Sequence, residues 1–366
     1  MPTRHIIIYA GSLRPGGGLT VAKIVIEALA HNVNNSIVVY TGSKDCSEYL
    51  TDIFNSYNNV HEVHFFQKTN AHTRYLISKI FFLFSTIFKR KHVFLSVNYF
   101  IPSFAKKIVY HLNLLSFIKY KKVKNFNDFV KRMDARVACR LANSNIFESK
   151  YLLSVANAKM RKKISNPSVL YIGVDPIFKT SKNNTKLSCV NNIVLVSSIE
   201  SYKCNKVAID CVELLYKKYK NDNWQLTVVG GQSLKQWSQL DKYSQSKSLE
   251  GNIKFLGPIE KERLVGILNE SLCLINTSII ESFCMVAVEA MASGCPVVTT
   301  GETSMPESVG DAAVIVKTNS PESFANEIYK ISANQAHRDS LIEKGIKHSN
   351  KFHNKIVSKK IQEVFS

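Results

Sequence analysis

Residues 277–300 read TSIIESFCMVAVEAMASGCPVVTT. The apolar run beginning at Phe283 is closed by Gly294, so the spacing predicts a helix that starts near Phe283 or Cys284. LCLINTS (272–278) before it and PVVTT (296–300) after it read as short buried strands. Strand, helix, strand in that order is the unit of a parallel α/β sheet. Two acids bracket the helix start: Glu281 stands just ahead of it and Glu289 about two turns inside. The first N–H groups of the helix, on Phe283, Cys284 and Met285, have no partner within the helix and form a site suited to a diphosphate. A carboxylate at Glu289 can accept two hydrogen bonds from a ribose diol, and Glu281 can reach a polyhydroxyl group beyond the phosphates. Sugar, diphosphate and ribose in a row are a nucleotide sugar. The same spacing also describes a helix whose acids simply favour its dipole.

The alternation extends outward from this segment. NNIVLVSSI (191–199), WQLTVVGG (224–231), NIKFLGPI (252–259) and DAAVIVKT (311–318) read as strands, with helices at 204–219 and 260–271 between them. The first half repeats the scheme. HIIIYA (5–10) is a strand, followed by a glycine loop and a helix at 20–32 with Thr20 as its N-cap. Further strands are expected at 36–41, 60–66, 93–97 and 107–110, and helices at 74–92 and 128–142. The polar stretch KTSKNNTKLSCV (179–190) lacks periodicity and marks the domain boundary. The expected fold is α/β, with two Rossmann-like parallel-sheet domains facing a central cleft and sites at the C-terminal ends of the strands.

The chain has 366 residues and is 45% hydrophobic and 21% charged, which excludes a disordered or disulfide-stapled chain. Its net charge of +20 is uneven. Residues 1–175 hold 25 Lys/Arg against 9 Asp/Glu, and residues 176–366 hold 23 against 19. The first half is therefore a cation seeking an anionic partner. The eight cysteines form no C-x-x-C pair and read as reduced structural thiols. The apolar run at the N-terminus is too short for a signal peptide. RYLISKIFFLFSTIFKRKH (74–92) is too short to span a bilayer. It reads either as an interfacial helix, with Phe81, Phe82, Phe84 and Phe88 in lipid and Lys89, Arg90 and Lys91 at phosphates, or as a core helix. The basic run Lys119, Lys121, Lys122, Lys124, Lys131 and Arg132 favours a membrane surface.

Taken with its neighbours, the 277–300 segment resembles the Glu-x7-Glu signature of retaining GT-B glycosyltransferases of family 4. MPESVGDAAVIV (305–316), FLGPI (255–259), VVGG (228–231), ANSNIFESKYLL (142–153) and YIGVDPIF (171–178) resemble further family segments in the family order. The resemblance implies an N-terminal acceptor domain over 1–178, completed by a returning helix near 350–366, and a nucleotide-sugar domain over 179–349. It implies that Glu281 and His111, the latter in VYHLNLL, hold the sugar hydroxyls, and that Lys203 in SSIESYKCNK binds the diphosphate. The family arginine is replaced by Ser198, which leaves Lys206 as a substitute cation. Cys284 replaces a family glycine, and its side chain is expected to narrow the sugar pocket. Gly16, Gly17 and Gly18 are expected against the ligand, Gly230 at the strand end, and Pro258 and Ile259 at the nucleobase. Glu289 is expected at the ribose.

The implied activity is metal-independent transfer, with retention, from a UDP- or GDP-sugar to a hydroxyl of a glycan or polyprenyl-diphosphate-linked acceptor. The implied setting is bacterial O-antigen, capsule or lipopolysaccharide synthesis. The expectation is a monomer in the cytoplasm, peripheral to the inner membrane, with no cofactor and no nucleic-acid partner. No Asp-x-Asp, G-x-S-x-G or Walker sequence points to other chemistry. The rivals are a GT-B sugar-nucleotide epimerase and a basic nucleic-acid-binding protein.

Overall fold

A computed structural model describes residues 4–365 apart from 12, 14–16, 67, 70, 90, 121–125, 161, 180–190, 220–222, 232–233 and 250. The chain divides into two compact units, one of Met1–Gly173 with Asn354–Ser366 and one of Val174–His353.

The first unit is a seven-stranded parallel sheet of β1 (Arg4–Ala10), β2 (Asn35–Thr41), β3 (Val60–His64), β4 (Val93–Val97), β5 (Lys106–His111), β6 (Ser144–Phe147) and β7 (Pro167–Val169). Their spatial order is β3-β2-β1-β4-β5-β6-β7. Helices α1 (Gly17–Ala30), α2 (Lys44–Ser56), α3 (Ala71–Ser85), α4 (Phe126–Leu141) and α5 (Lys150–Lys159) connect them. The second unit is a six-stranded parallel sheet of β8 (Asn191–Val196), β9 (Trp224–Val229), β10 (Ile253–Gly257), β11 (Cys273–Asn276), β12 (Val297–Thr300) and β13 (Val314–Val316), in the order β10-β9-β8-β11-β12-β13. Its helices are α6 (Lys206–Lys218), α7 (Ser238–Gln245), α8 (Lys261–Glu270), α9 (Met285–Ala292), α10 (Met305–Val309), α11 (Pro321–Ala333) and α12 (Gln335–Ser349). Helix α13 (Asn354–Phe365) packs on α1 in the first unit, where the Gln362 amide donates to the carbonyl of Ala28 at 3.1 Å.

Every residue of β4, β11 and β12 is buried, which explains why these strands read as continuous apolar runs rather than alternating ones. Strand order reverses between β1 and β4 in the first sheet and between β8 and β11 in the second. At such a switch point neighbouring loops leave a sheet in opposite directions and open a crevice at its C-terminal edge. Lys203 follows β8 and Glu281 follows β11, so the second switch point places both of these residues.

Several expectations are corrected. The unit boundary falls at Gly173/Val174 rather than 178/179. Val174 bridges to His353 and donates to the carbonyl of Phe352 at 2.8 Å, which ties residues 174–178 to the second unit. Thr20 is not an N-cap: α1 begins at Gly17, and the Thr20 hydroxyl instead lies 3.0 Å from that of Tyr49. Helix α2, whose N-cap Ser43 accepts from the amide of Cys46, and strand β6 add elements that the sequence reading passed over. Every described cysteine is a free thiol.

Gly230 ends β9 at φ 109°, and a Cβ there would lie 2.3 Å from the carbonyl oxygen of Ser197. Gly17 has nothing within 4 Å of such a Cβ. Gly230→Ala is therefore expected to cost about 1–3 kcal/mol or more, and Gly17→Ala to leave stability unchanged or raise it by up to about 1 kcal/mol. Thermal and urea unfolding of the two variants measure the contrast.

Candidate active site

The loop after β8 is held by its own side chains. The Ser197 hydroxyl donates to Oδ1 of Asn205 at 2.9 Å, and the Asn205 amide donates to the carbonyl of Ser198 at 2.7 Å. A short 3-10 turn, Ser201–Lys203, follows, and Cys204 leaves it at φ 51°. Two bonds stitch this turn to the loop after β11. The Thr277 hydroxyl donates to the carbonyl of Lys203 at 2.7 Å, and the Ile279 amide donates to that of Tyr202 at 2.9 Å. Glu281 is clamped from the other side. Its amide donates to the Thr303 hydroxyl at 2.9 Å, and its carbonyl accepts from the Ser304 hydroxyl at 2.8 Å.

Between these anchors Lys203 Nζ meets Glu281 Oε1 at 2.7 Å, with both side chains mostly buried. Burial alone disfavours the ammonium, but the Glu281 carboxylate outweighs it and holds the Lys203 pKa above the ordinary lysine value. The lysine is thus a fixed cation. Ser198, at the position of the family arginine, offers no charge, and its carbonyl accepts from the Asn205 amide. Lys206 does not substitute for that arginine; it is exposed and lies over the Tyr243 ring at 4.6 Å.

Helix α9 starts at Met285, with Cys284 as its N-cap. The expected row of open amides is corrected here. The Cys284 amide donates to the Ser308 hydroxyl at 3.1 Å, and the Met285 amide to the carbonyl of Phe283 at 3.1 Å. Phe283 is buried, with its ring 5.3 Å from that of Phe352. The Cys284 side chain turns into the core, where Sγ accepts from the Asn276 amide at 3.1 Å and desolvation pushes the thiol pKa up. Its φ of −86° is ordinary for any residue. A cysteine therefore replaces glycine here without backbone strain, and its thiol is packed against Asn276 rather than narrowing a pocket.

Glu289 is half-buried, and desolvation pushes its carboxyl up to about 7. Lys261 opposes that rise and Asp175 adds to it. These two neighbours pair with each other at 2.8 Å. The sequence reading missed them, along with Thr303, Ser304 and Ser308. Only the Met-Pro-Glu-Ser segment at 305–308 hinted at that cluster, because contacts across loops leave no periodic trace. Gly230 serves the fold: its carbonyl accepts from the Trp237 indole at 3.0 Å and its amide donates to the carbonyl of Gly257 at 2.8 Å. Pro258 is exposed and Ile259 half-buried, just after β10.

The remaining candidates belong to the first unit. His111 ends β5 at 1% exposure, its ring stacked on Phe147 at 4.7 Å and its Nε2 2.9 Å from Oδ1 of Asn145. Desolvation lowers its pKa to about 4, so the ring is neutral at pH 7. It is a buried ring packed between Phe147 and Asn145. Gly17 and Gly18 open α1 without crowding from the protein; Gly16 lies outside the described residues. Among the described residues no group of three or more His, Cys, Asp or Glu side chains is arranged to hold a metal ion.

Two Rossmann-like parallel sheets, with the second bearing a cation–carboxylate pair at its switch point, define the GT-B class of fold. Residues 178–348 match the family model described as glycosyl transferases group 1. The chain is 26% identical over 165 residues to D-inositol 3-phosphate glycosyltransferase of Corynebacterium glutamicum (strain R), covering 44% of this chain and 39% of that protein. It is 29% identical over 103 residues to O-antigen chain mannosyltransferase B of Escherichia coli, covering 28% and 27%. The chain thus spans well under half the length of these curated relatives. The crystal structure of Anabaena HepE in complex with UDP and glucose superposes with a TM-score of 0.76 at 15% identity, covering 98% of each chain.

Lys203→Met leaves the Glu281 charge mostly buried and is expected to cost about 1–3 kcal/mol; adding Glu281→Gln is expected to restore part of that. Urea unfolding of the two single variants and the double variant measures the coupling. For Glu289, an acid whose folded pKa lies above its ordinary 4.5, stability is fully present below pH 4.5 and declines as pH rises toward about 7. Glu289→Gln is expected to remove that decline, of order 1–3 kcal/mol, from the pH dependence of unfolding.

Proposed function

We propose that this chain is a retaining, metal-independent glycosyltransferase of family 4. It moves a sugar from a UDP- or GDP-sugar to a hydroxyl of a lipid-linked oligosaccharide in bacterial surface-polysaccharide synthesis. The observation that carries this reading is the Lys203–Glu281 pair at the switch point, with the desolvated Glu289 on the helix that follows. The mannosyltransferase relative and the UDP-bound neighbour support the substrate classes by analogy.

In this reading the donor diphosphate takes the Lys203 ammonium, and Glu281 turns to the sugar hydroxyls. As the bond from the anomeric carbon to the phosphate oxygen breaks, negative charge grows on the nucleoside diphosphate, and the fixed cation stabilises it. The acceptor oxygen bonds to the anomeric carbon on the face the phosphate leaves, and the acceptor proton passes to the departing phosphate oxygen. Glu289 in its ionised form accepts from the ribose diol. With the amides of Cys284 and Met285 engaged within the protein, Lys203 is the principal group on the leaving phosphate.

A thermal-shift panel of UDP- and GDP-sugars tests the reading. A true donor at 100 times its dissociation constant is expected to add about 2.7 kcal/mol. Lys203→Met and Glu281→Gln are expected to abolish that gain, and EDTA to leave it unchanged. Donor affinity is expected to rise with pH through about 7 in the parent and to be flat in Glu289→Gln. A donor that gives no nucleotide release with any acceptor, while its sugar changes configuration, indicates an epimerase instead.

A further inference from the structure

Helix α3 is apolar on its outer face as well as its inner one. Its buried face carries Tyr75, Ser78 and Phe82, followed by Thr86 just past the helix end. The Ser78 and Thr86 hydroxyls bond to backbone: Ser78 donates to the carbonyl of Tyr75 at 2.7 Å, and Thr86 donates to that of Phe82. The opposite face, at positions four apart, presents Leu76, Ile80 and Phe84, and Phe88 stands in the turn that follows the helix. Ile80 and Phe84 are each 65% exposed and Phe88 is 98% exposed. A helix facing only water has the reverse arrangement. Burying hydroxyls while leaving leucine, isoleucine and phenylalanine outside signals a second apolar environment against the outer face.

The charges around the stripe say what that environment carries. The segment 71–92 contains no acidic residue. Lys89 and Lys91 follow Phe88 directly, Lys91 being exposed. Helix α4 is fixed beside α3 by the Lys79–Asp134 ion pair at 2.8 Å and by the Asp134 carboxylate, which also accepts from the amide of Phe100 at 2.6 Å. That helix adds exposed Phe129 and Met133 among exposed Lys131 and Arg136. Its one acid with a described side chain, Asp134, is buried in the pair with Lys79. Apolar side chains ringed by cations, with no exposed acid among the described side chains of α3 and α4, complement an interface that is hydrocarbon inside and phosphate outside. Among the described residues no helix is long and apolar enough to cross a membrane, so the fitting geometry is lateral.

We propose that the outer face of α3, flanked by α4, is a docking surface for an anionic lipid bilayer. It lies flat in the headgroup region, with Ile80, Phe84 and Phe88 inserted and Lys89 and Lys91 at lipid phosphates. The surface stands on its own geometry; its purpose, holding the first unit where a lipid-linked acceptor presents its sugar, rests on the transferase reading above.

The test is co-sedimentation of the full chain with phosphatidylcholine vesicles, with and without about a third phosphatidylglycerol. The parent protein is expected to pellet with the anionic vesicles, and less so with neutral ones or at high salt. Ile80→Asn/Phe84→Asn/Phe88→Asn is expected to lower partitioning about tenfold or more, and the charge-reversed Lys89→Glu/Lys91→Glu to lower it as well. Failure of the parent to bind, or equal binding by both variants, overturns the proposal. So does a concentration-dependent dimer that the triple variant abolishes while no vesicle binding is seen, since the occupant is then a second copy of the chain. Sugar transfer that fails with every donor while vesicle binding follows the expected pattern overturns the transferase reading and supports the surface.

Discussion

One ion pair organises the second unit's working edge. Lys203 and Glu281 lie 78 residues apart and belong to loops that leave neighbouring strands in opposite directions. Desolvation opposes the Lys203 ammonium, and the adjacent Glu281 carboxylate outweighs that cost. The surrounding bonds from Thr277, Ile279, Thr303 and Ser304 follow from that constraint. They hold two backbones close enough for a 2.7 Å contact that an untethered loop would spread. In the proposed transferase, a donor offering an anion to the lysine and hydroxyls to the carboxylate would replace each partner without exposing either to bulk water.

The polar groups near the helix start follow a different logic. The structure uses the amides of Cys284 and Met285 for itself, through the Ser308 hydroxyl and the carbonyl of Phe283. His348 Nε2 lies 2.9 Å from the carbonyl of Ser308, so a buried chain of contacts runs from α12 through α10 to the start of α9. The helix start is therefore braced from behind, a common price of placing rigid carboxylates on a loop edge. In the first unit, His111 and Asn145 play a comparable bracing part between β5 and β6.

The alternation of apolar strands and helices made the fold legible, because a parallel sheet buries its strands on both faces and writes them as unbroken apolar runs. The second sheet was nearly complete on that ground. Strand β6 escaped because it has four residues and follows α4 closely. Helix α2 escaped because its polar positions obscure a narrow buried face of Cys46, Leu50 and Ile53. Of the site, Glu281 and Lys203 were read as separate ligand groups. Nothing in a linear spacing says that they touch, since the contact is set by strand order. The direction of the Cys284 side chain was likewise illegible, because it depends on an Asn276 amide and a Ser308 hydroxyl from other loops. The burial of His111 and its contact with Asn145 were illegible for the same reason, since Asn145 comes from the next strand.

Helix α13 has a consequence for the order of events at the ribosome. It lays Val357, Ile361 and Phe365 against the first unit, apolar burial worth about 1.5–3 kcal/mol per side chain. The unit that is synthesised first is thus the one that is finished last. Until its closing helix emerges, α1 keeps an uncovered apolar flank, while the second unit already holds all of its own strands. A chain cut off before residue 354 would keep every strand of both sheets and leave the α1 flank that α13 covers open to chaperones.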